Sequence, residues 1–265
     1  MQDVTDLPWA HVAITGASSG LGRALALANA APGRVLHLAA RDMARLEDTA
    51  AACRAMGAEV TATQLDVRDA AACAAWVEGM GRIDLLLANA GISGGTGGGT
   101  EPGDQVRAVF ETNLNGVLNT ALPAMARMAA QAPGADGLRG RIGVVASVVG
   151  FVAAPSAPAY SASKAAVQRW AEATDATQRR RGIRLHSICP GFIRTPMTAP
   201  NRFPMPFMIS PEEAARRTLA GIASGRQRVV YPRRTYALFR LLGMVPPGLM
   251  AWASRAVPAK DVSAA

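Results

Sequence analysis

Short apolar runs recur along this chain up to about residue 190, separated by alanine-rich stretches of helical length. They are "HVAIT" (11–15), "RVLHLAA" (34–40), "EVTATQL" (59–65), "IDLLLAN" (83–89), "RIGVVAS" (141–147) and "IRLHSIC" (183–189). Their apolar positions are nearly continuous rather than alternating, which predicts strands covered by helices on both faces. Each run is followed by a turn or helix signal, so the pattern predicts successive βα units and a parallel sheet. A seventh run, "RQRVVYP" (226–232), follows a predicted helix that opens on Ser210-Pro211-Glu212-Glu213. That opening combines a capping hydroxyl, a first-turn proline and two acids. The expected fold is α/β, a doubly wound parallel sheet of about seven strands forming one domain over residues 1–265.

Composition narrows the function. A chain of 265 residues, 50% of them hydrophobic, can bury one substantial core. Cys53, Cys73 and Cys189 are odd in number, scattered and without a CxxC pair, so neither a disulfide framework nor a metal site is indicated. The N-terminus begins with acidic residues and enters a strand without a basic flank and apolar signal segment, so a cytoplasmic location is expected. The net charge of +9 invites a nucleic-acid partner. The arginines are spread along the chain, however, and the dense run at 179–181 sits where a predicted helix ends and suits its dipole. Aromatics are only 5% of the residues, and no basic stripe interleaves with them. Nucleic acid is therefore not an expected partner, whereas an anionic cofactor would be welcome. His11, His37 and His186 all fall inside strand runs, where each is expected to be a satisfied core or edge residue.

The first strand runs into "TGASSGLGRALALANA", placing Gly16, Gly20 and Gly22 before a helix. Glycines there permit a tight turn and close backbone approach, and the helix N-terminus offers free N–H groups to a pyrophosphate. A Gly-Lys-Ser/Thr ending is absent, which disfavours a nucleoside-triphosphate P-loop. The second strand ends on Ala40 and Arg41. A basic residue there suits a 2′-phosphate where an acidic one would suit a ribose diol, so NADP(H) is favoured over NAD(H). Further along, "PAYSASKAAV" (158–167) puts Tyr160 and Lys164 one helical turn apart. Lys164 and Lys260 are the only lysines among 28 basic residues, so lysine is an exceptional choice here. A nearby cation is expected to lower the phenol's pKa from its usual value near ~10, fitting Tyr160 for proton transfer.

"TGASSGLG", "NAG" (89–91), Ser147 and "YSASK" (160–164) together resemble the classical short-chain dehydrogenase/reductase family over about residues 10–200. The resemblance implies a Rossmann-type fold and hydride transfer between a nicotinamide and a carbonyl or alcohol. It implies catalytic roles for Asn113, Ser147, Tyr160 and Lys164, with Asn113 holding a water that links Lys164 to solvent. It implies cofactor contacts from Gly16, Ser18, Ser19, Gly20, Leu21, Gly22 and Arg41, from Asp66 and Val67 at the adenine, and from Asn89, Ala90 and Gly91 at the ribose. Pro190, Gly191, Ile193 and Thr195 would pass the nicotinamide, beside Tyr160 and Lys164. One departure is Ala88, where many members carry a second asparagine. The helices around 104–131 and 159–181 resemble the family's subunit-pairing elements, implying a homodimer or homotetramer.

Two segments are expected to lie on the substrate side, and a third to dock elsewhere. Residues 192–210, rich in Pro, Met and Phe, would cover a moderately apolar substrate, with Phe151 and Val152 nearby. "GISGGTGGGTEPG" (91–103) is expected to be mobile. A C-terminal helical extension at 233–257 is too interrupted to span a bilayer; docking onto the body or a sister subunit is favoured over capping the cleft or peripheral membrane contact. The main alternative to an enzyme is a nonenzymatic dinucleotide-binding redox sensor or scaffold, which would need the glycine loop and Arg41 but not the Ser/Tyr/Lys set. Epimerase or dehydratase chemistry is disfavoured by the length of the chain.

Overall fold

A computed structural model describes residues 7–246, 248–249 and 260–262. Among the described residues seven strands and eight α-helices follow one another in the βα order that the hydrophobic pattern predicts, with two consecutive helices between the fourth and fifth strands. They run β1 (His11–Thr15), α1 (Gly20–Asn29), β2 (Val35–Ala40), α2 (Met43–Ala55), β3 (Glu59–Gln64), α3 (Ala70–Glu78) and β4 (Leu85–Ala88). There follow α4 (Gly103–Phe110), α5 (Gly116–Ala130), β5 (Gly140–Val145), α6 (Pro158–Gln178), β6 (Ile183–Pro190), α7 (Pro211–Ala223), β7 (Arg228–Tyr231) and α8 (Arg233–Leu242). The sheet is parallel throughout, in the order β3-β2-β1-β4-β5-β6-β7. It is the doubly wound Rossmann-type arrangement in a single domain.

Strand pleating splits the core. Val12 and Ile14 of β1 join the layer formed with α1, α2 and α7, whereas Ala13 between them faces the layer formed with α3, α5 and α6. Leu85 and Leu87 of β4 face the first layer, and Leu86 and Ala88 the second. Both faces of the central strands are thus buried, which explains why their sequences lack polar alternation. Helix starts follow their caps: Asp42, Asp69 and Ser210 accept from the backbone N–H of Arg45, Ala72 and Glu213.

Several expectations change. The predicted helix over 104–131 is interrupted by a π turn at Glu111–Asn115. The histidines do lie in strands, but only one nitrogen of fully buried His186 is partnered: Nδ1 lies 2.7 Å from the Arg226 carbonyl and Nε2 has none. Burial pushes its pKa down to about 4, so the ring stays neutral. The start of the predicted C-terminal extension is helix α8, which docks on the body; most of 243–257 lies outside the described residues. Among the described residues no helix is long and apolar enough to cross a membrane.

Strand order reverses between β1 and β4, opening a crevice at the C-terminal ends of the strands. The helix that feeds this crevice, α6, is anchored at its far end by Asp175, whose buried carboxylate accepts from Leu185 N–H at 2.9 Å, Arg179 at 2.8 Å and Arg184 at 3.0 Å. Burial alone would raise its pKa, but the Leu185 N–H and the two guanidinium groups outweigh it and hold the carboxyl low. A depressed carboxyl contributes its full stabilisation at neutral pH and loses it as pH falls through the folded value. Asp175→Asn is therefore expected to cost about 2–3 kcal/mol in urea unfolding at neutral pH, with the difference from wild type shrinking in acid.

Candidate functional site

A cleft of about 570 Å³ opens at the crevice. It is lined by every site residue expected from the sequence except Asn113. Gly16 and Gly20 hold left-handed φ angles of +67° and +52° that only glycine adopts without strain. A Cβ on Gly22 would fall 2.1 Å from the Gly16 carbonyl oxygen, so the turn can pack on α1 only with glycine there. Ser19 caps α1 without a side-chain hydrogen bond, and no acid occupies the first turn. These N–H groups therefore face the cleft with the helix dipole behind them, a donor set suited to a pyrophosphate.

Thr15, which the sequence reading passes over, fixes this loop. Its buried hydroxyl accepts from the backbone N–H of Asn89 and of Ala90, each at 3.1 Å, tying the end of β1 to the end of β4. Asn89 Nδ2 returns bonds to the Thr15 carbonyl at 2.9 Å and the Gly16 carbonyl at 3.3 Å. Asn89 thus braces the glycine turn. A β-branched hydroxyl ending a strand directly before the glycines was the available signal.

At the other end of the cleft Arg41 is exposed at the tip of β2. The adjacent carboxylate, Asp42, is occupied by Arg45, accepting from its N–H at 3.0 Å and from Nε at 2.6 Å. Asp66 is likewise held by Arg68, which pairs with both carboxylate oxygens and keeps the carboxyl below its ordinary range. No uncommitted acid therefore faces Arg41 from these positions, and Arg45 joins it along the cleft wall.

Tyr160, Lys164 and Ser147 meet where α6 crosses the end of β5. The Lys164 ammonium is buried, donates to the Val145 carbonyl at 2.8 Å and lies 5.8 Å from the Tyr160 ring centroid. Burial pushes its pKa down to about 8. Tyr160 departs from expectation: its pKa is raised, because burial outweighs a hydrogen bond with Ser147, and Lys164 is turned to a carbonyl instead of the phenol. The phenol is consequently kept neutral.

Asn113 is fully buried in the π turn, not on a helix surface. Its amide exchanges two hydrogen bonds with the backbone of Ile92, at 2.8 and 2.9 Å, and Nδ2 also donates to Ser163 at 3.1 Å. A Cβ on Gly91 would approach Asn113 Oδ1 to 3.1 Å and Lys164 Nζ to 3.4 Å, so the three groups crowd together behind the cleft.

On one side of the cleft, residues 192–210 form a loop closed at its base by Ile193 and Ile209, with Arg194 N donating to Ile209 O at 3.0 Å and Ile209 N to Phe192 O at 3.1 Å. Phe192 packs on Phe203 and Phe239, and Phe151 on Tyr236, giving this side an apolar wall that includes α8. The glycine-rich 91–103 segment is not free: Thr96 N donates to Ser156 O at 3.0 Å, and the Gln105 amide to Gly95 O at 3.0 Å.

Comparison with known proteins places this geometry. Residues 10–204 match the sequence profile of the family described as short chain dehydrogenase. An uncharacterized oxidoreductase of Myxococcus xanthus is 32% identical over 95% of this chain and 99% of its own. A Streptomyces virginiae protein named for ketoacyl reduction in a monensin polyketide synthase is 36% identical over 69% of this chain and 70% of its own. Among solved structures, a Sphingobium yanoikuyae short-chain dehydrogenase in complex with NADPH superposes with a TM-score of 0.78 at 27% identity, covering 92% of this chain and 96% of that one. A Burkholderia phymatum short-chain dehydrogenase/reductase in complex with NAD does so with a TM-score of 0.78 at 25% identity, covering 98% and 99%.

The bracing role of Thr15 predicts that Thr15→Val, nearly isosteric, leaves the Asn89 and Ala90 N–H groups unpaired. Denaturant unfolding is expected to show a loss of about 1–3 kcal/mol, and calorimetry a weaker affinity for dinucleotides. Unchanged values for both would show that the loop stands without it.

Proposed function

This chain belongs to the short-chain dehydrogenase family and is an oxidoreductase, and from that premise we propose that it uses NADP(H) to interconvert a moderately apolar carbonyl compound and its alcohol. The observation that carries the proposal is the neutral, desolvated Tyr160 phenol hydrogen-bonded to Ser147 beside the buried Lys164 ammonium.

The cleft fits a dinucleotide: the glycine turn would hold the pyrophosphate, Asp66 and Val67 the adenine side, Asn89–Gly91 the ribose region, and Pro190, Gly191, Ile193 and Thr195 the nicotinamide side. When bound, the nicotinamide supplies or takes up the hydride. The chain's own residues handle the carbonyl and its proton. Ser147 donates to the carbonyl oxygen, and Tyr160 gives its proton to that oxygen as charge develops on it. A phenol held above its ordinary pKa stays protonated at neutral pH, so a proton is present at the site for reduction. The Lys164 ammonium, 5.8 Å from the Tyr160 ring centroid, then stabilises the phenolate left behind through the low dielectric of this buried corner. Asn113 positions Ile92 and crowds Lys164, and the implied water relay through it belongs to this proposal. Arg41, with Arg45 beside it, would take a 2′-phosphate; the capping role of Asp42 removes the nearest rival for that charge. A sensor that only bound the dinucleotide would have no use for the Ser147–Tyr160 pair. Assembly as a homodimer or homotetramer and a cytoplasmic location complete the proposal, the latter supported by three buried unpaired cysteines.

Four measurements test this. Tyr160→Phe is expected to lower carbonyl reduction by about 10²–10⁴-fold with NADPH affinity nearly unchanged; a rate within about tenfold of wild type would remove Tyr160 from the chemistry. Reduction should fall as pH rises through about 8, where Lys164 loses its proton, and a profile flat well beyond that point would deny the ammonium its role. Lys164→Arg, although it preserves charge, should lose most activity because a guanidinium does not fit the buried position against Val145. Arg41→Ala is expected to weaken NADPH at least about tenfold while leaving NADH unaffected; wild-type preference for NADH would overturn the cofactor assignment.

A further inference from the structure

The last described residues of the chain dock on the glycine-rich segment beside the site. The Lys260 carbonyl accepts from Gly97 N–H at 2.9 Å. A Cβ on Gly95 would fall 2.3 Å from that same oxygen, so the two backbones approach this closely only because residue 95 is glycine. Val262 lies against Gly97, and Asp261 reaches Arg202 of the 192–210 loop at 3.9 Å. Three consecutive residues therefore join the glycine-rich segment to the loop over the substrate side.

Docked in this way, Lys260 brings the chain's second lysine to Tyr160. Its Nζ lies 5.2 Å from the Tyr160 ring centroid, nearer than Lys164 at 5.8 Å, and donates to Ser93 Oγ. The ammonium is half-buried, and burial lowers its pKa with no carboxylate offsetting the effect among the described residues. Glu101, the acid nearest in sequence to this stretch of loop, is committed elsewhere, accepting from Ala159 N–H and the Gln105 amide at 2.9 Å each. An ammonium has three donors, and Ser93 takes one. A partly desolvated cation with no counter-ion among the described residues, beside the Tyr160 ring, favours a ligand that brings the negative charge itself.

We propose that Lys260, steadied by Ser93, is a substrate-anion site that selects carbonyl compounds bearing a carboxylate close to the reacting carbon, namely α- and β-keto acids and the matching hydroxy acids. The proposal rests on the carbonyl/alcohol reading of the site and names its substrate class. Lys260 is a specificity residue in it, and proton transfer stays with Tyr160. It also gives the glycine-rich segment a purpose: the segment is bare so that the tail can lie on it and deliver the amine.

Calorimetry with mandelate and mandelamide, run on the full chain with and without saturating NADPH, tests the site by binding alone. Wild type is expected to prefer the acid over the amide by at least about tenfold. Lys260→Met should abolish the preference with mandelamide affinity unchanged, and Lys260→Arg should retain part of it. Gly95→Ala, which drives the Lys260 carbonyl off the loop while keeping the amine, should resemble Lys260→Met. Kinetics with phenylglyoxylate and its methyl ester should place the Lys260→Met effect in KM for the acid, with kcat for the ester preserved. Equal affinities in wild type, absence of binding by both probes, or equal loss for acid and amide in Lys260→Met would each overturn the anion site. Acid-selective binding without reduction of either keto compound would instead count against the reductase reading while upholding the site.

Discussion

The hydrogen bond from the Lys164 ammonium to the Val145 carbonyl is the contact on which the rest of the site depends. It ties α6 to the last residue of β5 and buries a cation at the mouth of the sheet. An unpaired charge at that depth is costly, and the chain reduces the cost by weakening the base, lowering its pKa to about 8. The same burial acts on Tyr160 in the opposite chemical sense, holding its phenol neutral. One desolvated corner thus holds a neutral phenol beside a buried cation, the pairing on which the proposed proton transfer rests.

Support for this corner comes from unlike sources. Asp175 fixes the far end of α6 through backbone and guanidinium donors, and Asn113 pins Ile92 against the near side. Thr15 joins the two strand ends between which the sheet order reverses. In each case a buried polar side chain satisfies backbone groups that no regular ladder could reach, where an apolar substitute would leave them stranded.

Much of this was legible in the chain. Most of the strands follow from apolar runs, the edge strand β3 with its mixed "EVTATQ" being the exception, and their observed limits depart by a residue or two, because a run such as "IDLLLAN" includes Asn89, whose side chain turns to brace the glycine loop. The glycine turn, Arg41, Ser147, Tyr160 and Lys164 were legible because their types are improbable at those places for packing alone. Desolvation was not legible: one-turn spacing of a phenol and an ammonium says they share a helix face, but not that the ammonium turns to a strand carbonyl while burial raises the phenol. The contacts that hold 91–103 were hidden for a related reason, since glycine permits close docking as readily as motion. Its partner, Lys260, lies far away in sequence, and the scarcity of lysine was the one trace of it.

The most direct test of the account is the ionisation of Tyr160 itself, followed by NMR of protein labelled with carbon-13 at the tyrosine Cζ and assigned with Tyr160→Phe. Burial, with the Lys164 ammonium turned to the Val145 carbonyl, predicts that the Tyr160 resonance keeps its protonated shift in the free protein through the pH range around 8 in which Lys164 titrates. A tyrosinate shift at or below neutral pH would contradict it, and would return Tyr160 to the role of a base made ready by its lysine.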